Sequence, residues 1–547
     1  MSAAGAGHAL KEALTAALSA YGRGALDEAS SWLDAASRGG REHPDVLHLR
    51  GLVALARHEV AIAVGWMERA VRTAPRVASY WNNLGVARRQ AGSLDLAAQA
   101  HARAIALAPS YASAHNNLGA VHAEREDYER AAACFARAIQ LGAADADTHA
   151  NLVLAYARHE EGGAALATVE AALSAGLTGA RLEIAHGAAL LAVGRHAEAV
   201  ASLSDSAKRW PQEPEAWHNL GFALAKQGRF APARDAFDQA LTLAPGGAAT
   251  HLSRGLVRLS LGDYRGGWAD CRLRREGPAK RETSQLVLDE RLNGRRIRIT
   301  RDQGVGDDLF FLRFAPLLQA RGAQVSVDVD PRLHTMLARA GLPSAGPCDA
   351  AIMSGDLPFR LGHGDDEDCP VALRLDAIPE LISTQRAMLE SAGPRPWIAV
   401  SWRAGVKGQM KNAPAAQLAR LLRELPGTIV CIQRDPRPGE LAAFSAELGR
   451  ALFDATTISG DLESMLALMH VVDEHVAVSN ANLHLRAAAG RTTRVLVPFP
   501  AEWRWRERCG ALPWFRDHRA YRQGADLSWD AALVQLTVDL SRTIKPA

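Results

Sequence analysis

Residues 80–110 read YWNNLGVARRQAGSLDLAAQAHARAIALAPS, and residues 215–246 read EAWHNLGFALAKQGRFAPARDAFDQALTLAPG. In both, an aromatic residue precedes Leu-Gly, small residues follow, and a proline comes near the end. Their glycines, Gly85 and Gly221, belong to a comb of 34-residue period that also holds Gly51, Gly119, Gly187 and Gly255, with Val153 in the gap. Ala70, Ala104, Ala138, Ala172 and Ala240 form a second comb, and Pro75, Pro109, Pro211 and Pro245 a third. A period of this length marks a unit of two antiparallel helices that cannot bury its apolar face alone and stacks on its neighbours. Gly and Ala recur where the two helices approach too closely for a larger side chain, and proline ends the second helix. About seven units are expected between roughly residues 10 and 275, stacked as a right-handed superhelix with a concave groove.

These combs resemble the tetratricopeptide repeat. Two residues before the comb glycine stand Asn83, Asn117, Asn151 and Asn219, with Ala185 and Ser253 breaking the row. Asparagine is a poor mid-helix residue, so its periodic return asks for a reason. The row is similar to the asparagine ladder with which protein O-GlcNAc transferases hold an acceptor polypeptide. Asparagine is also common at this place in tetratricopeptide repeats of every binding class, so the row supports peptide binding without naming the peptide.

After GDYRGGWADCRLRRE (262–276) the period stops, and residues 276–295 read as a basic, polar linker. From Arg296 short apolar runs alternate with amphipathic helices. RIRIT, AQVSVDVD, WIAVSW, TIVCIQR, EHVAVSN and TRVLVPF are the expected strands. Such alternation means parallel sheets covered by helices. Two series imply two Rossmann-like lobes, 296–394 and 395–547, facing across a cleft. The expected fold is thus an all-α superhelix followed by an α/β domain.

Composition narrows the function. Lys and Arg number 63 against 60 Asp and Glu, a net +3 that leaves no electrostatic footprint for nucleic acid. An apolar fraction of 48% excludes general disorder. The six cysteines are scattered without a C-x-x-C pair, which indicates neither a disulfide framework nor structural zinc. No run approaches the ~20 apolar residues of a membrane span, and the start lacks a secretory pattern. The expectation is a cytoplasmic protein.

RDQGVGDDLFFLRFAPLLQARG (301–322), SNANLHLRAAAGRTTRVLVPFPAEWRW (479–505) and PWFRDHRAYRQ (513–523) resemble the heptosyltransferase-like branch of the GT-B glycosyltransferases found behind tetratricopeptide repeats in bacteria. The Ser-Asn-x-Asn turn and the Pro-x-Glu-Trp-Arg-Trp tail look like proteins thought to glycosylate flagellins. The resemblance covers nearly all of residues 285–542 and implies an inverting, metal-independent transferase. It would move sugar from a nucleotide-sugar donor to Ser or Thr of an acceptor protein, flagellin among the candidates, with no other cofactor.

The candidate residues follow. The turn Gln303 to Asp308 joins the first strand to a helix, where Gly304 and Gly306 let a ligand approach the backbone. It lacks the Lys-Ser/Thr of a P-loop and the third glycine of a dinucleotide fingerprint. The resemblance makes Asp307 the base that deprotonates the acceptor hydroxyl. An Asp at a helix start is equally a good cap, and Asp308 is either the cap or a bystander.

In the loop SWRAGVKGQMKNAP (401–414) the basic residues are candidates for the donor phosphates. The resemblance favours Lys411, with Arg403 and Lys407 in reserve. At VSNANLHLRAAAG (478–490) a helix N-terminus offers an anion site around Asn480, Asn482 and His484. Aligned on His484, the family's Asp is replaced by Ser479. His484 reads equally as a satisfied helix residue.

The D-x-D runs Asp328-Val329-Asp330 and Asp366-Glu367-Asp368 read as a strand end and an acidic surface rather than metal sites. Trp503, Trp505, Trp514 and Tyr521 are candidates to stack on a base or sugar, but for at least half of them the reading is helix–sheet core. Two other functions remain open: a scaffold whose transferase lobes are inactive, and a transferase acting on glycolipid or polysaccharide.

Overall fold

The computed structural model describes residues 3–37, 43–274, 292–344, 346–364, 368–404 and 411–544. Most of the expected linker, 276–291, lies outside these, as do Lys407 and the acidic residues 366 and 367. By contacts the chain divides into two compact units, Met1–Pro211 and Gln212–Ala547.

The first unit is built of helical pairs, from Ala3–Gly22 with Leu26–Ser37 to Ala180–Ala192 with His196–Arg209. Two more pairs, Pro214–Lys226 with Phe230–Leu243 and Ala248–Leu261 with Tyr264–Cys271, belong to the second unit. Among the described residues this makes eight pairs, where about seven were expected. The extra pair is the first, in which the fully buried Ala17 occupies the place of the comb glycine. Alanine meets the same demand for a small residue, so glycine alone under-counts.

The combs have the cause expected of them. A Cβ on Gly119 would stand 2.8 Å from the Phe135 ring, and one on Gly221 2.8 Å from Phe237. Met67, His101, Leu203 and Cys271 fill the same place opposite Gly51, Gly85, Gly187 and Gly255. At the gap, Val153 shares a core with the smaller Val169. The second comb is buried throughout, and Ser206, where alanine is missing, satisfies its hydroxyl on the Ser202 carbonyl at 3.0 Å. The residues before Pro75, Pro109, Pro211 and Pro245 leave helical geometry, as the proline ring requires.

The sheets of the second unit are wholly parallel. β1 (Arg296–Thr300), β2 (Gln324–Asp328) and β3 (Ala350–Met353) form one, in the order β2-β1-β3. β4 (Trp397–Ser401), β5 (Thr428–Cys431), β6 (Leu452–Asp454), β7 (Glu474–Val478), β8 (Arg494–Val497) and β9 (Arg519–Arg522) form the other, in the order β6-β5-β4-β7-β8-β9. The chain starts at β4, winds outward to β6, returns past β4 to β7 and winds the other way. Ligands of such doubly wound sheets bind beyond the strand ends where the winding reverses, here after β4 and β7. β3, β6 and β9 escaped the sequence reading, being only three or four residues long, and β9 is polar at both ends.

The last helical pair is joined to the sheets by an aromatic core. Trp268 lies edge-on to Trp503 (centroids 5.2 Å apart), Phe311 and Trp514, and Tyr264 edge-on to Trp514. Trp503, Trp505, Trp514 and Tyr521 are all buried. Beside this core, Arg274 bonds Asp302 at 2.5 Å and Asp356 at 2.7 Å, all three side chains being at most 7% exposed. These contacts explain why two helical pairs of the array group with the sheets.

Candidate functional site

A cleft of about 770 Å³ lies within the second unit, a size suited to a small-molecule ligand. Its walls come from both helices of each of the last two pairs, the turn after β1, the loop after β4, the turn after β7 and the stretch after β8. Gly304, Gly306 and Asp307 line it, as do Arg403 and Lys411, and so do Asn480, Asn482 and His484. Candidates from three separate stretches thus meet in one place.

The turn after β1 explains the first group. The helix Val305–Phe311 is capped at Gly304 with no side-chain bond, so neither aspartate is its N-cap. A Cβ on Gly304 would meet almost nothing, whereas one on Gly306 would come within 3.2 Å of the His484 ring. Glycine at 306 therefore lets the β1 turn close on the helix that follows β7. Asp307 is part-exposed, and its Oδ1 accepts a 2.6 Å bond from Arg504. Asp308 points the other way, fully buried, and accepts from the Ser354 hydroxyl at 3.2 Å.

Burial pushes the Asp308 carboxyl up to about 6, against the opposing pull of Ser354 and Arg301. An unfolded Asp titrates near ~3.9, so above pH ~6 the folded state carries a buried charge that the unfolded state solvates freely. Asp308→Asn removes that charge. The stability of the variant relative to the parent is expected to rise by ~2 kcal/mol between pH ~4 and ~6 and then level off. Urea unfolding at pH 4.5, 6 and 7.5 checks this; a difference independent of pH would show that Asp308 ionises without penalty.

The loop after β4 holds its cations on carboxylates. Arg403 donates to Glu440 at 3.0 and 3.3 Å and to the Asp435 carbonyl at 2.8 Å, and Trp402 Nε1 shares the same Glu440. This ties Arg403 down as a strut of the loop. Lys411 pairs with Glu502. After β7, Asn480 is the N-cap of Ala481–Ala488, its Oδ1 accepting from Leu483 N and its amide donating to Ser401 Oγ at 3.0 Å. Asn482 reaches the Ile432 carbonyl at 3.5 Å. Burial holds the His484 imidazole well below its ordinary value, with Arg504, Arg313 and Lys411 acting in the same direction, so it is neutral against the Phe310 ring.

Glu502 and Arg504 escaped the sequence reading as functional residues although they sit in a stretch it quoted. Arg504 also stacks on Phe310 and Trp503, 4.7 and 4.9 Å from the ring centroids. The available signal was a pair of opposite charges set among tryptophans just beyond a strand. Of the D-x-D residues, Asp330 pairs with Arg332 at 2.9 Å, and Asp368 with Arg516 at 2.9 Å.

The asparagine row behaves differently. In the first unit Asn83 meets His48 at 2.8 Å, Asn117 donates to Asn82 at 3.0 Å and Asn151 to Asn116 at 3.4 Å, each reaching back 35 residues to the preceding pair. A peptide backbone would compete with the array for these amides. Asn219 stands in the second unit, half-buried, and is not among the residues lining the cleft.

The tetratricopeptide repeat family matches residues 48–112, 82–146 and 184–248. The N-terminal region carries tetratricopeptide repeats. Protein FlbA of Caulobacter vibrioides is 25% identical over 413 residues, covering 61% of this chain and 68% of its own. Among solved structures, a tetratricopeptide repeat protein from Parabacteroides merdae is 13% identical, with 46% of this chain and 99% of that one covered and a TM-score of 0.40. PilF of Pseudomonas aeruginosa is 18% identical, with coverages of 39% and 96% and a TM-score of 0.35. The tetratricopeptide repeats imply a protein-binding role. Among the described residues no helix is long and apolar enough to cross a membrane.

Proposed function

We propose that the protein is a protein O-glycosyltransferase of GT-B architecture, inverting and metal-independent, that takes sugar from a nucleotide-sugar donor. The observation that carries this reading is the single cleft whose walls are at once tetratricopeptide helices and the ends of β1, β4 and β7. In the reaction, Asp307 takes the proton of an acceptor Ser or Thr hydroxyl as its oxygen forms a bond to the anomeric carbon. The bond from that carbon to the donor phosphate breaks, and inversion follows from one displacement. Lys411, Arg504 and the N-terminus of Ala481–Ala488 supply positive charge for the departing phosphate. His484, neutral, packs under the β1 turn against Gly306 rather than moving a proton. The nucleotide belongs at the winding reversal after β4 and β7, beside Ser401 and Asn480.

The acceptor side is the repeat helices. Phe222 and Leu256, 40% and 42% exposed, stand 34 residues apart at equivalent places on successive pairs, and both line the cleft with Lys226. Burial lowers the Lys226 ammonium from its ordinary value, and Phe222 lies 5.1 Å from it. Exposed apolar side chains at a cleft mouth fit an acceptor segment. Leu256→Asp is expected to weaken acceptor binding ~10-fold, a ~1.4 kcal/mol loss, with nucleotide binding unchanged. Fluorescence anisotropy of a labelled acceptor checks it; equal affinities would take the repeats out of the acceptor site.

Thermal shift against CMP, UDP, GDP and ADP tests the reading, since selective binding to the folded chain raises its melting point. Intact-mass analysis of acceptor proteins, flagellin first, then looks for the added sugar with and without chelator. A chain that responds to no nucleotide is the scaffold, a reading favoured by the finding that Arg403, Lys411 and Arg504 all hold carboxylates.

A further inference from the structure

Glu502 stands between two cations and satisfies only one. Its Oε1 pairs with Lys411 Nζ, while Oε2 is 3.8 Å from Arg504, too far for a hydrogen bond. That Oε2 is buried and has no hydrogen-bond partner among the described residues; the same holds for Arg504 Nε. Arg504 spends its strong bond instead on Asp307 Oδ1 at 2.6 Å. Lys411, Glu502, Arg504 and Asp307 therefore form a chain of alternating charge that lines the cleft. A carboxylate that leaves one oxygen unbonded beside an under-used guanidinium is a poor permanent occupant. A phosphoryl group carries more oxygens in a tetrahedral array and can accept from Lys411 and from the Arg504 fork together.

We propose that Glu502 is a built-in placeholder for the donor phosphate, and that Arg504 is handed from Asp307 to that phosphate when the donor binds. This rests on the transferase reading and adds its regulation. In the free protein Arg504 occupies Asp307 Oδ1, one of the two oxygens available to receive the acceptor proton. A donor phosphate displaces Glu502 from Lys411 and draws Arg504 away, which frees Asp307 only once a sugar is in place. Donor binds before acceptor. Arg504 is thus a phosphate-binding residue and, through Asp307, a positioning residue.

The test is calorimetry of the full-length chain with inorganic pyrophosphate, then with UDP, GDP, CDP and CMP. Glu502→Gln keeps the shape but removes the competing charge, and is expected to bind pyrophosphate about ten-fold tighter than the parent. Arg504→Gln is expected to lose binding at least ten-fold. Adding Glu502→Gln to Arg504→Gln is expected to restore less than the single change gains, because the two residues act on one anion. Glu502→Ala repeats the first arm should Gln misfold, with far-UV circular dichroism as the check. Pyrophosphate binding that is absent from parent and variant alike, or that Glu502→Gln leaves unchanged or weakens, overturns the proposal. Nucleotide binding indifferent to Glu502 removes this inference and leaves the transferase standing. Pyrophosphate binding with the expected pattern, but no response to any nucleotide, keeps the anion site and removes the transferase.

Discussion

Asp307→Asn is expected to reduce sugar transfer by ~10²–10⁴-fold, the usual worth of a general base, while thermal stabilisation by the nucleotide persists. The substitution is nearly isosteric. Asn Oδ1 still accepts from Arg504, and the helix Val305–Phe311 keeps its cap because Gly304 contributes no side chain to it. What is lost is the capacity to take a proton. The informative measurement pairs initial rates of acceptor modification with melting points in saturating nucleotide. An unchanged rate would sink Asp307 as the base, whereas loss of nucleotide response would assign it to donor binding. Asp308→Asn is the control, since Asp308 is buried away from the cleft and is expected to leave the chemical step alone.

Arg274→Ala is expected to destabilise the second unit by ~3–5 kcal/mol, the cost of stranding buried charge. Arg274 bonds both Asp302 and Asp356, whose side chains are each 2% exposed, and burial already raises the Asp356 carboxyl. Without the guanidinium the Asp356 carboxyl, already raised by burial, loses the charge that pulls it down and titrates higher still in the folded state. The defect is then fully present at neutral pH and shrinks as pH falls and the Asp356 carboxyl protonates. Urea unfolding at pH 7.5 and 5 measures this, and hydrogen exchange locates the loosening at residues 301–304 and 354–357. A defect under ~1 kcal/mol, or one that grows on acidification, would contradict the assignment of Arg274 as the clamp between the last repeat and the first sheet. Arg274→Lys is expected to recover only part of the loss, because an ammonium lacks the fork that spans two carboxylates.

Much of this protein is readable before any fold is known. The 34-residue combs are legible because the exclusion of side chains at each helix crossing recurs with the repeat, as the close approach of Gly119 to Phe135 illustrates. The turns at 303–307 and 479–484 are legible because a tight passage from strand to helix demands small or capping residues, here Gly304 and Asn480. The windows carrying β3 and β9 are not, since a short or polar strand is held by its neighbours rather than by its own pattern.

Side-chain partners are a different matter. Arg403 and Lys411 look alike along the chain, yet the first is locked to Glu440 and the second waits on Glu502, in stretches 37 and 91 residues distant. Asp307 and Asp308 are adjacent, but one faces the cleft and the other is sealed beneath it. Periodicity and turn chemistry are local and so belong to the sequence alone. Which charge meets which, and which polar atom is left without a partner, depends on surfaces brought together across long separations, and only the tertiary structure decides that.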